Sequence, residues 1–68
     1  MSIQVRLNGK DREFDEDISV TGLIQSLELN PQLIVVELNR DILERKSYAD
    51  TPVSDGDQIE LVHFVGGG

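Results

Sequence analysis

The sequence predicts an α+β fold in which a mixed β-sheet has one main helix packed across one of its faces. Three observations support this prediction: a hairpin pattern opens the chain, a single amphipathic helical pattern follows it, and a further strand pattern lies near the end. The chain has 68 residues, which is enough for one domain only. Since 38% of the residues are hydrophobic, the composition is that of a folded chain.

The N-terminal segment predicts a β-hairpin. In residues 3–7 apolar and polar side chains alternate, which is typical of a strand with one buried face. Asn8-Gly9 follows, and this pair favours a two-residue turn because both positions tolerate positive φ. Residues 10–15 then form the second, antiparallel strand, with Phe14 as its inward side chain.

A short amphipathic helix is predicted for residues 20–28, where apolar side chains recur at helical spacing. Ser19 is the expected N-cap, since its hydroxyl can accept a hydrogen bond from an amide one turn further on. Gly22 costs on the order of 1 kcal/mol relative to alanine. Either tertiary packing offsets this cost, or Gly22 permits close approach to the sheet. Asn30-Pro31 ends the helix.

Two further strands are predicted after the helix. Residues 33–38 are a nearly continuous apolar run of strand length, interrupted by Glu37. We expect Glu37 to point outward, so that its two neighbours in the strand face the core. Residues 39–41 indicate a turn, and residues 42–43 a short strand beyond it.

The C-terminal third contains a loop and a final strand. Residues 44–54 are polar and irregular, with Tyr48 and Val53 as the expected anchors in the core. The Asp-Gly-Asp triplet at 55–57 indicates a tight turn, and residues 58–65 predict the last strand.

This order of elements is that of a β-grasp fold. We expect the N-terminal hairpin and the C-terminal strand to lie together at the centre of the sheet, with the helix across one face. Residues 1–65 are then the β-grasp domain, and residues 66–68 are a flexible C-terminal glycine tail.

The charge balance narrows the range of partners. Thirteen acidic and six basic residues give a formal net charge of −7. Nucleic acids and anionic membrane surfaces are bound by basic surfaces, so neither is an expected partner. A basic protein partner fits better, because opposite fields speed encounter.

The N-terminus does not resemble a signal peptide, and no apolar run approaches the roughly 20 residues of a membrane span. We therefore expect a cytoplasmic protein that is monomeric when free.

Catalytic machinery is not evident in the sequence. There is no cysteine and only one histidine, His63. Thiolate metal sites and cysteine nucleophiles are therefore excluded, and no phosphate-binding glycine loop is present. We expect no enzymatic activity of the chain alone, no catalytic residue, no metal and no bound cofactor.

The last strand carries a candidate docking surface. Gln58 and Glu60 share their side-chain parity with Val62 and Phe64. Since the two polar residues should face solvent, Val62 and Phe64 are predicted to be exposed and apolar, and Val35 should join them. Such patches mark binding surfaces. The alternative is a twist or bulge that buries Val62 or Phe64 instead.

Glycines end the sequence at positions 66–68. Three extended residues reach roughly 10 Å, and without Cβ atoms they can enter a slot too narrow for other residues. Such a tail would deliver its terminal carboxylate. A carboxylate is a poor acyl electrophile, so it would suit activation as a mixed anhydride in the nucleotide site of another protein.

These features together resemble the ThiS family, the ubiquitin-like sulfur carriers of thiamine thiazole synthesis. The most specific stretch runs from Val53 to Val62 and is followed by Val65 and the glycines. Supporting features are Asn8-Gly9, Ser19-Val20 leading to Leu23-Ile24, Glu37-Leu38-Asn39, and Arg45 followed three residues later by Tyr48.

The resemblance implies a carrier cycle. A ThiF-type adenylating enzyme would use ATP to convert the Gly68 carboxylate to an acyl-adenylate. Sulfur from cysteine, delivered through a desulfurase persulfide, would displace AMP and leave a thiocarboxylate, which a ThiG-type thiazole synthase consumes. The family pattern maps its penultimate glycine to Gly67, whereas Gly66 stands where the family varies.

Other functions remain open from the sequence. The chain also resembles MoaD, the sulfur carrier of molybdopterin synthesis, although the short loop between Glu44 and Ser54 favours ThiS. A carrier for another sulfur-transfer pathway is a further alternative. A non-covalent β-grasp interaction module, in which the glycines have no role, belongs to a different class.

Overall fold

The computed structural model describes residues 1–63. Its five strands are β1 (Ser2–Leu7), β2 (Lys10–Asp15), β3 (Ile34–Leu38), β4 (Asp41–Leu43) and β5 (Gln58–His63). One α-helix, α1 (Val20–Ser26), follows the hairpin, and short 3-10 helices span Pro31–Leu33 and Arg45–Asp50.

The strands form one mixed sheet in the order β2-β1-β5-β3-β4. β5 lies at the centre, parallel to β1 and antiparallel to β3. The predicted α+β class and the central place of the C-terminal strand beside β1 are therefore confirmed. The predicted central place of the hairpin is wrong for β2, which lies at the edge of the sheet.

The hairpin forms as the Asn8-Gly9 pair predicts. Leu7 pairs with Lys10, and Asn8 and Gly9 have φ angles of 50° and 81°. These left-handed angles match the twist of the two strands. Because the register is set by this turn, Phe14 lies opposite Ile3 and packs, half-buried, against the core.

The helix is capped as predicted but ends two residues early. The Ser19 hydroxyl accepts a hydrogen bond from the Gly22 N–H at 3.0 Å. The helix ends at Ser26, because Glu28 has a φ of 61° and turns the chain away. A Cβ at Gly22 would meet Ile18 Cγ1 at 3.1 Å, so the close approach that this glycine permits is to the residue before the cap and not to the sheet.

One core fills the space between the sheet and the helix. Its buried residues come from both halves of the chain and include both predicted anchors, Tyr48 and Val53. The full set is Ile3, Val5, Leu7, Val20, Leu23, Ile24, Ile34, Val36, Tyr48, Val53 and Ile59.

The second half differs from the prediction in two places. Strand β3 begins at Ile34, because Leu33 belongs to the preceding 3-10 helix and is 42% exposed. The loop predicted over 44–54 contains the 3-10 helix Arg45–Asp50. That helix places the Tyr48 side chain in the core. The segment is therefore ordered, although its sequence is mostly polar.

Tyr48 completes the sheet beyond the end of β4. Its hydroxyl donates to the Ile34 carbonyl at 2.8 Å and accepts from the Val36 N–H at 3.2 Å. The hydroxyl thus bonds to two groups of β3, one at Val36, opposite the last residue of β4, and one at Ile34, beyond the end of β4.

We expect Tyr48→Phe to lower the free energy of unfolding by about 1–3 kcal/mol, because two buried backbone groups lose their partner. Urea unfolding followed by circular dichroism would measure the change. An unchanged unfolding midpoint would contradict the bridging role of the hydroxyl.

Candidate functional site

The face of the sheet that α1 leaves uncovered is the candidate site, and we call it the open face. Residues directly opposite each other in paired strands share a face, so the pairing defines its members. From β2 across to β4 they are Asp11, Glu13, Asp15, Ser2, Gln4, Arg6, Gln58, Glu60, Val62, Val35, Glu37 and Ile42.

An apolar strip occupies one part of the open face. Val62 is 59% exposed and lies directly opposite Val35, which is half-buried. The outward orientation predicted for Val62 is therefore confirmed, and Val35 lies on the same face. Phe64, the third predicted docking residue, lies outside the described residues.

Ile42 extends this strip and was missed by the sequence reasoning. It is 74% exposed and lies opposite Glu37 on the edge strand β4. The signal was present, since Glu37 was read as outward and a tight turn places Ile42 across from it. Val35, Ile42 and Val62 together form what we call the apolar strip.

Carboxylates border the apolar strip. Glu37 lies directly opposite Glu60, and neither takes part in an ion pair within residues 1–63. Like charges in such a position destabilise a sheet. Among the described residues, the basic side chain on the open face is that of Arg6. Its Nη1 lies 3.3 Å from Oδ1 of Asp11, with which it forms an ion pair. The open face therefore suits a partner that is apolar at its centre and basic around it.

Two asparagines hold the central strand on both sides. The Asn8 N–H donates to the Ile59 carbonyl at 2.9 Å, and its Oδ1 accepts from the Leu61 N–H at 2.7 Å. Asn39 does the same on the other side of β5, bonding both the N–H (2.9 Å) and the carbonyl (2.7 Å) of Gln58. Both asparagines have a φ of 50°.

These asparagines were recognised in the sequence only as turn residues. Their side chains continue the hydrogen bonding where β1 and β3 turn away from β5. The strand that precedes the glycine segment is thereby fixed in direction up to Leu61.

The remaining site predictions concern residues at the end of the chain. Gly66, Gly67 and Gly68 lie outside the described residues, as does the boundary predicted at residue 65. The described part of β5 ends at His63, which is exposed and pairs with Ile34.

Residues 1–63 lack the side-chain cluster of a metal site and the helix of a membrane span. Within residues 1–63, no cluster of three or more acidic or histidine side chains is arranged to hold a metal ion. None of the helices in that part of the chain has the length and apolar character needed to cross a membrane.

Comparison with known proteins reveals close relatives along almost the whole chain. The sulfur carrier protein ThiS of Bacillus subtilis is 38% identical over 65 residues, which cover 94% of this chain and 98% of that protein. The crystal structure of the thiamine biosynthesis protein ThiS from Geobacter metallireducens is also 38% identical. It superimposes with a TM-score of 0.82, covering 97% of this chain and all of the other.

A second kind of relative is much longer. The thiazole synthase of Paramagnetospirillum magneticum is 39% identical over 62 residues, which are 91% of this chain and 19% of that enzyme. The chain thus spans about a fifth of the length of that relative. In that bacterium a region similar to this chain is part of a thiazole synthase.

The family comparison agrees with these relatives and with the β-grasp architecture of the sheet. The model of the ThiS family matches residues 5–68. This range includes the second half of β1, all the later strands and the glycine segment. The chain belongs to the ThiS family.

Proposed function

We propose that this chain is a sulfur carrier of thiamine biosynthesis and that the carboxylate of Gly68 carries the sulfur as a thiocarboxylate. The observation that carries the proposal is the match to a sulfur carrier protein of nearly equal length, over 94% of this chain. The architecture supports it, since the central strand β5, which is paired on both sides, precedes the glycine segment.

Thiocarboxylate formation takes three steps, and the first of them activates the carboxylate of Gly68. A carboxylate oxygen of Gly68 attacks the α-phosphorus of ATP, and pyrophosphate leaves. The terminal sulfur of a persulfide then attacks the acyl carbon and expels AMP, which leaves an acyl disulfide. A thiol cleaves the S–S bond, so that the thiocarboxylate stays on Gly68 and the thiol becomes part of a mixed disulfide.

The partners follow from these steps. The chain has no cysteine, so the persulfide must belong to another protein, supplied by a cysteine desulfurase. ATP binds to a ThiF-type adenylating enzyme. A thiazole synthase consumes the thiocarboxylate, and this partner is supported by the enzyme in which a region similar to this chain occurs.

Intact-mass spectrometry tests the proposal. The protein is incubated with ATP, a ThiF-type enzyme and a persulfide source, and the C-terminal peptide is then sequenced by fragmentation. We expect an exchange of oxygen for sulfur at the carboxyl group of Gly68 and no change when the adenylating enzyme is omitted. Sulfur found on any other residue, or none at all, would contradict the proposal.

The acidic surface predicts salt-dependent association with the adenylating enzyme. At physiological ionic strength fields are screened over about 8 Å, so the association rate constant should fall as salt is added. Stopped-flow measurement across a salt series checks this. If the association rate constant did not change with salt, the net charge of −7 would serve solubility and not association.

A further inference from the structure

The outer edge of β2 presents unpaired backbone groups. β2 ends the sheet on its side and pairs only with β1. The Arg6 N–H donates to the Asp57 carbonyl, so the even-numbered residues of β1 bond towards β5 and its odd-numbered residues bond towards β2. The N–H and C=O groups of Asp11 and Glu13 therefore point away from the sheet. Within residues 1–63 they have no hydrogen-bond partner.

A groove of about 420 Å³ runs beside this edge, between β2 and α1. Phe14, Ile18 and Leu27 line it with half-buried apolar side chains, and the exposed Arg12 lies at its rim. Side chains alternate between the two faces of a strand. Every second side chain of a strand added to β2 would therefore lie over this groove.

The remaining side chains of an added strand would meet a row of carboxylates. Asp11, Glu13 and Asp15 are all exposed and lie on the open face along this edge. A second copy of β2 would place the same three carboxylates opposite them, and like charges opposite each other destabilise a sheet. Basic side chains at those positions would instead be attracted.

We propose that β2 accepts an extended segment of a partner protein as a sixth strand of the sheet. The segment has basic side chains at alternate positions, beside Asp11 and Glu13, and apolar side chains between them, over the groove. Its backbone bonds to the outward N–H and C=O groups of the same two residues, as in other cases of strand addition. This surface includes no residue of the glycine segment and does not depend on the sulfur cycle.

The test uses a synthetic peptide in which lysine and valine alternate. Glu13→Pro removes the outward N–H without removing a bond to β1, and Glu13→Ala is the matched control that loses the same carboxylate but keeps the N–H. We expect the proline variant to bind the peptide at least about tenfold more weakly than the alanine variant. A peptide in which glutamate and valine alternate should not bind.

Hydrogen exchange in the unaltered protein provides a second, independent measurement. The lysine–valine peptide should slow exchange at the amides of Asp11 and Glu13, whether or not the proline variant folds. Equal affinities of the two variants, or slowed exchange at β3 and β5 in place of β2, would overturn the proposal. Thiocarboxylate formation at Gly68 is measured in the unaltered protein without the peptide, so the two proposals fail separately.

Discussion

Adding one bulky residue after Gly68 should abolish thiocarboxylate formation while leaving the fold intact. The activated carboxylate would then belong to the wrong residue, and the added side chain would block a slot shaped for glycine. Gly67→Val should impair the reaction as well, because a β-branched side chain restricts φ and widens the segment. Mass spectrometry of the C-terminal peptide after a complete reaction with ATP, adenylating enzyme and persulfide measures both effects.

Two controls make this result specific to the end of the chain. Circular dichroism should show the same unfolding midpoint for the extended and the unaltered protein. A valine substitution at Gly9, an exposed glycine of the hairpin turn, should affect stability through its φ of 81° and not the chemistry. An extended protein that gains sulfur as readily as its parent would end the carrier interpretation and favour a non-covalent β-grasp module.

Val62→Asp should weaken binding to the adenylating enzyme by about 2 kcal/mol, or roughly thirtyfold. Val62 is 59% exposed, so the change removes apolar contact from the apolar strip and adds a charge on the same face as Glu60. The fold should persist because no core contact is lost. A binding titration, with circular dichroism alongside it, separates a docking effect from unfolding.

Gln58→Asp is the matched control for Val62→Asp. It adds the same charge to the same face of the same strand, at a distance from the apolar strip. We expect it to change affinity much less. Equal losses for the two variants would mean that net charge, and not the apolar strip, governs docking. A Val62→Asp protein that unfolds would show that the side chain is needed for stability.

Local patterns in the sequence were sufficient to predict the first half of the fold. The alternation in residues 3–7 and the Asn8-Gly9 turn are consistent with each other. A two-residue turn allows only one pairing register of the two strands, and in that register Ile3, Val5 and Leu7 are buried. The Ser19 cap was equally local. The early end of α1 was not predictable, because it depends on Glu28 adopting a positive φ that its residue type does not favour.

The second half depends on contacts between distant residues. Nothing near Tyr48 in sequence shows that its hydroxyl bonds to Ile34 and Val36, and this contact is what orders the segment around it. Asn39 likewise bonds to Gln58, which is far away along the chain. At the candidate site, parity was enough to orient Val62. The roles of Phe64 and of the glycines stay predictions.

The central place of β5 has a consequence for folding during synthesis on the ribosome. Until residues 58–63 have left the exit tunnel, β1 and β3 have no strand between them, and the sheet cannot form. Contacts between the two ends of a chain also make folding slow relative to local structure. A nascent chain that stops short of β5 therefore stays unfolded and open to proteases. Degradation would then remove incomplete chains in preference to those that include the strand preceding the glycines.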